Sequence, residues 1–262
     1  MIMTMEKLHV GRGDSRGALT VFPVWQQGTP GPRVELGVQD NLRVTETESP
    51  SVPYLQVTPV GQVPVLSLDG DVLLGGWQDR VTVGSRLLAP GVTATVDVRC
   101  IEQDRWSGTR AHSAGGRATA FVRGTRDQHE VWRRVAAERA RSPRPPDVSG
   151  LRPLPGQSGV LFGISGVPVL LELFADEAML RAAWPRLVAA AARDAAGRPE
   201  KATYGYRARE FAGLVESMSL SKTPRDRSIA ITAGRGGIEL RGIADGERML
   251  HASVINQKAV AA

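Results

Sequence analysis

At 262 residues, 42% of them hydrophobic, the chain can bury a real core, and wholesale disorder is excluded. No apolar run approaches the ~20 residues of a membrane span, and the single Cys100 excludes an intrachain disulfide. The basic residues behind the net charge of +6 are scattered apart from the run 133–144, and no nucleic-acid-binding motif accompanies them, so the charge does not argue for a nucleic-acid partner.

Residues 1–16 read as a flexible N-terminus without the apolar stretch of a signal peptide, and with one cysteine this fits a reducing cytoplasm. Residues 19–25 are apolar and β-branched, 54–60 alternate, and 63–68 follow them as a further strand. Asp69-Gly70 suits a type I′ turn and predicts a hairpin over 63–74. Residues 81–88 and 92–98 continue the β pattern around Ala89-Pro90-Gly91. Residues 126–141 read as a helix with Trp132, Val135, Ala136 and Arg139 on one face. The Pro-rich stretch 142–155 ends that helix, since proline lacks a donor and fixes φ, and it is the candidate subdomain boundary.

Residues 159–164 and 167–174 flank Ser165-Gly166 as a second hairpin. The strongest helix spans 176–196, with the stripe Leu180, Ala183, Trp184, Leu187, Val188 and Ala191, a cap at Asp176, and Pro185 predicted to kink or split it. Residues 207–218 form another amphipathic helix; 228–232, 238–243 and 248–255 return to β, with Asp245-Gly246 joining the last two. Strands and helices do not alternate as in a doubly wound sheet. The expectation is an α+β fold with mostly antiparallel sheet, about three α-helices and a single domain over 17–262.

The chain has no P-loop, no dinucleotide fingerprint and no nucleophile elbow. Its four histidines are isolated and Cys100 has no cysteine partner, so no metal site is expected. Two polar clusters stand out, at 69–80 and 100–106, because carboxylate, amide and guanidinium groups are costly to bury unpaired. Glu102 is the candidate general base or hydroxyl acceptor, and Arg105 the candidate phosphate clamp. The alternative is that the two pair with each other or with Arg80. Gln78 and Arg80 follow Gly75-Gly76, which serves either a close backbone approach to a ligand or a tight bulge. Trp106 stacks on a ligand ring or packs over Arg105. Cys100 is a nucleophile or a core thiol, and His251 a ligand-binding or a structural histidine.

The residues 73–80 and 100–106, together with 19–24, 159–174, Trp184-Pro185 and 242–251, resemble the bacterial ARG and rhodanese-phosphatase-superfamily-associated protein domain family. The resemblance spans about residues 17–257, and Glu102-x-x-Arg105-Trp106 is its most specific element. Trp77, Asp79 and Glu172 depart from the family pattern, where a basic or polar residue, Asn and Asp are expected. The resemblance implies a context with ADP-ribosylglycohydrolases and other NAD- or ADP-ribose-handling proteins. The partner expected from the residues is a nucleotide-like anionic small molecule, with Gln78, Arg80, Arg105, Trp106 and His251 as candidate binding residues and Glu102 as the candidate catalytic one. The resemblance assigns no reaction and no cofactor, so whether the chain is an enzyme stays open. The other reading is a non-enzymatic homo-oligomeric scaffold.

Overall fold

The computed structural model describes residues 5–37, 41–141 and 143–261; residues 1–4 of the expected flexible N-terminus and residue 142 of the Pro-rich stretch lie outside them. The chain forms two compact units, one from Met1–Gly31 and Pro143–Ala262, the other from Pro32–Ser142. The first unit opens with β1 (Leu8–Val10), β2 (Asp14–Arg16) and β3 (Leu19–Gln26). The second then supplies β4 (Glu35–Leu36), β5 (Leu42–Ser51), β6 (Tyr54–Pro59), β7 (Val65–Ser67), β8 (Asp71–Gly75), β9 (Arg80–Thr82) and β10 (Arg86–Leu88). It continues with β11 (Ala94–Cys100), β12 (Ala111–Arg117), α1 (Ala120–Arg123) and α2 (Gln128–Arg141). The chain returns to the first unit with β13 (Gly159–Ile164), β14 (Val167–Phe174), α3 (Glu177–Ala195) and α4 (Gly205–Glu216). It closes with β15 (Ser221–Arg225), β16 (Ser228–Arg235), β17 (Ile238–Asp245), β18 (Arg248–Asn256) and α5 (Gln257–Ala261).

The first unit is a nine-stranded antiparallel sheet in the order β1-β3-β13-β14-β18-β17-β16-β15, with β2 beside β3. Its central strands β13 and β14 are apolar almost throughout and buried on both faces, which requires cover on both sides. One face packs Phe22, Val24, Leu161, Leu171 and Val254 against Phe211 and Val215 of α4. Side chains alternate across a strand, so Val160 and Phe162 turn to the other face, where α3 contacts β3, β13 and β14. Asp176 caps α3 by accepting from the Met179 N–H at 2.9 Å. Pro185 lies inside α3 without splitting it.

The hairpin at Ser165-Gly166 is present, with both residues at positive φ (49° and 84°), as a type I′ turn demands. The one at Asp245-Gly246 is present too, turning on Gly246 and Glu247. The expected hairpin over 63–74 is not. Asp69-Gly70 does turn the chain, but β7 joins a small sheet with β4 and β10, whereas β8 enters a barrel. The turn is tied elsewhere: Asp69 Oδ1 accepts from the Gly84 N–H at 2.6 Å, and the Asp71 N–H donates to Thr82 Oγ1 at 2.9 Å.

The second unit is built on a closed barrel, β11-β6-β5-β12-β8-β9, in which β9 pairs back with β11. Val44, Leu55, Val57, Leu73, Val96 and Val98 form its apolar cluster. Val122 of α1 and Val131 of α2 pack with Val81 and Ala118 in a separate cluster. The α+β class is thereby corrected. The chain is mostly β, with 41% strand and 21% helix, five helices among the described residues instead of about three, and a closed barrel as well as the open sheet. The physical reason lies in β5 and β12, whose sequences are polar or rich in small residues. They carry Glu46 and His112, both with fully buried side chains, among otherwise hydrophilic neighbours. Two of the extra helices, α1 and α5, are too short to show periodicity.

Candidate functional site

The site grows from the ends of two hairpin-linked strands of the barrel. β8 ends at Gly75, β9 begins at Arg80, and β11 ends at Cys100 opposite Arg80. The register therefore brings residues 76–80 against residues 100–106. The Ile101 N–H donates to the Asp79 carbonyl at 3.0 Å, and Gln78 Nε2 donates to the Glu102 carbonyl at 3.0 Å. Gly76, at φ +55°, must be glycine, because a Cβ there would run into the His112 ring and sit 2.7 Å from Glu46 Oε1.

Arg105 is the clasp of this corner. Its Nε donates to Glu102 Oε1 and Oε2 at 2.9 and 3.0 Å, and its Nη2 to Oε2 at 2.7 Å. Nη1 donates to the carbonyls of Gly76 and Ser107 at 2.8 and 2.9 Å, and Nη2 also reaches Asp79 Oδ1 at 3.3 Å. All three nitrogens of its donor fork are engaged within the chain. Glu102 also accepts from the Asp79 N–H at 3.2 Å. The Arg105 hydrogen bonds, with help from that N–H and from the Arg139 charge, hold the Glu102 carboxyl below the usual carboxylate range. Glu102 is thus an ionised acceptor at neutral pH and a weak proton carrier.

Arg80 is buried, and its Nη1 donates to Gln78 Oε1 at 2.9 Å. Trp106 is 44% exposed and lies over the Arg80 guanidinium, with 5.7 Å from Cζ to the ring centroid, while Trp77 meets it edge-on at 5.4 Å. Gln78, Arg80, Glu102, Arg105 and Trp106 therefore come together. His251 does not join them. It sits in the first unit, wholly buried, with Nε2 2.7 Å from Glu172 Oε2. Cys100 is buried, and its Sγ donates to the Glu102 carbonyl.

An open pocket of about 500 Å³ lies between the 101–105 segment and α2, lined by Ile101, Glu102, Arg105, Trp132, Val135 and Arg139 among others. The face of α2 read from the sequence as its apolar stripe thus borders this pocket, whereas Val131 enters the core. Arg139 is exposed and makes no side-chain hydrogen bond among the described residues. Trp132 and Arg139 were visible as neighbours on one helical face, but nothing in their spacing placed a strand end opposite them. Glu46 and His112 left no signal at all. They pair at 3.1 Å inside the barrel, where burial, aided by the Arg80 charge, lowers the His112 pKa and keeps the ring neutral. No group of three or more His, Cys, Asp or Glu among the described residues is placed to hold a metal ion, and no helix there is long and apolar enough to cross a membrane.

Replacing Arg105 by Lys is expected to cost about 2 kcal/mol, since a single ammonium cannot replace the fork and hydrogen bonds to charged groups are each worth ~1.5–3 kcal/mol before solvent screening. A urea midpoint equal to that of the parent would refute the clasp. The same contacts set an acid limb. Because the folded Glu102 carboxyl lies below its unfolded value of about 4.3, its stabilising contribution is present above that pH and lost as pH falls through the folded value. The Lys variant should show a shallower limb.

No curated protein and no solved structure matches the chain. A family model does, over residues 7–147 and again over 147–255, and these segments take in the barrel corner with its Glu102–Arg105 clasp and the open sheet with its buried His251. On that coverage the chain belongs to the ARG and Rhodanese-Phosphatase-superfamily-associated Protein domain family.

Proposed function

We propose that the chain binds a nucleotide-like anionic metabolite of NAD- and ADP-ribose-linked metabolism in the pocket between the 101–105 segment and α2. One observation carries this reading: a pocket of about 500 Å³ sets an ionised carboxylate, Glu102, and an exposed guanidinium without hydrogen-bond partners, Arg139, beside the ring of Trp132. That set matches the three parts of a nucleotide diphosphate sugar. Arg139 takes phosphate, where a planar fork suits paired oxygens. Glu102 accepts from a ribose hydroxyl, and Trp132 offers a wall for a base. Arg105 positions Glu102 in place of clamping phosphate itself, and His251 takes no part, since Glu172 holds it inside the sheet. The association with the rhodanese-phosphatase superfamily in the family's description agrees with a phosphate-bearing ligand, as an association and not as a mechanism.

Calorimetric titration of the full chain with ADP-ribose, AMP and inorganic phosphate tests the proposal. ADP-ribose should bind saturably, and Arg139→Glu should weaken it by at least about tenfold, or ~1.4 kcal/mol, without moving the melting temperature. Absence of saturable binding of ADP-ribose by the parent protein would end this reading.

A further inference from the structure

The end of the barrel beneath Trp106 holds two charged side chains whose needs the chain leaves unmet. Arg80 is fully buried, and among the described residues only its Nη1 has a hydrogen-bond partner; Nε and Nη2 have none. Those two nitrogens form one edge of the guanidinium, the pair of parallel N–H groups that meets a carboxylate or phosphate side by side. Glu46 is also fully buried. Its Oε1 receives the Trp77 N–H at 2.9 Å and faces His112 Nε2 at 3.1 Å, while its Oε2 is bare. No ion pair joins Arg80 to Glu46 among the described residues, although both bear on the His112 ring from their own strands. Buried charges of this kind are strongly disfavoured without partners. Another group must complete them.

The geometry points to an enclosed oxyanion site here, in which Arg80 Nε and Nη2 hold a small carboxylate or phosphate and Glu46 Oε2 accepts a hydrogen bond from a hydroxyl of the same ligand. Glu46 Oε2 has no hydrogen-bond partner among the described residues, and a hydroxy acid or a hydrogen phosphate brings a hydroxyl to it. His112, neutral through burial, adds no competing charge. Trp106 is the way in. It belongs to the coil between β11 and β12, its ring covers the guanidinium, and it is 44% exposed. Displacing that ring opens the Arg80 edge without breaking a strand pairing. The site is separate from the Arg139 pocket, whose lining includes neither Arg80 nor Glu46.

The test titrates the full chain at neutral pH with glycolate in one arm and inorganic phosphate in the other, at an ionic strength held constant with sodium chloride, following melting temperature, heat of binding and tryptophan fluorescence. A saturable rise in melting temperature with glycolate identifies a carboxylate ligand, with phosphate a phosphoryl one, and either supports the site. No rise beyond the chloride control in either arm overturns it. Arg80→Lys, which keeps the charge and loses the edge, should weaken the response by at least about tenfold; an unchanged response overturns the site. Should that variant fail to fold, Trp106→Phe decides: heat of binding retained with the fluorescence change diminished supports the site, and a fluorescence change undiminished from the parent's places the anion elsewhere. Arg139→Glu should leave the response intact, so loss of the ADP-ribose pocket and loss of this site are read separately.

Discussion

A Trp184→Ala variant is expected to lose roughly 3–5 kcal/mol of folding stability, the range for truncating a buried aromatic side chain to alanine. Trp184 is 5% exposed on the inner stripe of α3, between Leu180 and Leu187, which are at most 1% exposed. Its indole Nε1 also donates to the Leu151 carbonyl at 3.0 Å, fastening the Pro-rich stretch to the helix. Truncation therefore opens a cavity and strands a buried carbonyl together. Trp184→Phe fills most of the volume and loses only the N–H, so it should fall well short of the alanine variant. Urea denaturation of both checks this; an alanine variant with the parent's melting temperature would show that this face is not core.

The second large effect belongs to His251. Its pairing with Glu172 is buried on both sides, Ser253 Oγ donates to the other carboxylate oxygen at 3.2 Å, and the Phe174 ring lies 5.0 Å from the imidazole. The register sets Glu172 against Ser253 and Phe174 against His251 on adjacent strands. His251→Ala leaves a carboxylate in the sheet without its main partner, and breaking such pairs costs about 3–5 kcal/mol. A loss below ~1 kcal/mol would mean that the carboxylate finds water, and the network would then be no keystone of the sheet. His251→Gln retains a donor and should recover part of the loss.

What could be read from the sequence follows from how each element earns its stability. β13, β14 and α3 are fixed by dense apolar patterns, so their positions, the Ser165-Gly166 turn and the Asp176 cap were visible. β5 and β12 were not, because a barrel wall that buries Glu46 and His112 looks like an exposed, loop-like sequence. The turn at Asp69-Gly70 was legible as a turn, but the destination of its strands was not, since the carboxylates of Asp69 and Asp71 bind Gly84 and Arg117, both distant in sequence. At the candidate site the two clusters could be paired by chemistry. Whether Arg105 faced a ligand or Glu102 depended on which donors the backbone carbonyls of Gly76 and Ser107 would claim, and no pattern in the chain encodes that.

The strand order of the open sheet has a consequence for synthesis. β3 pairs with β13, whose first residue, Gly159, is made only after the entire 32–142 unit. As the chain leaves the ribosome, the barrel can close while Leu19, Phe22 and Val24 still wait for a partner strand, their apolar side chains open to solvent or to a chaperone. The wait is longer still for β14, whose outer neighbour β18 is made only after α3, α4 and three further strands. Slowing translation beyond residue 142 would thus lengthen the life of a half-sheet with an unpaired apolar edge, the species most open to aggregation.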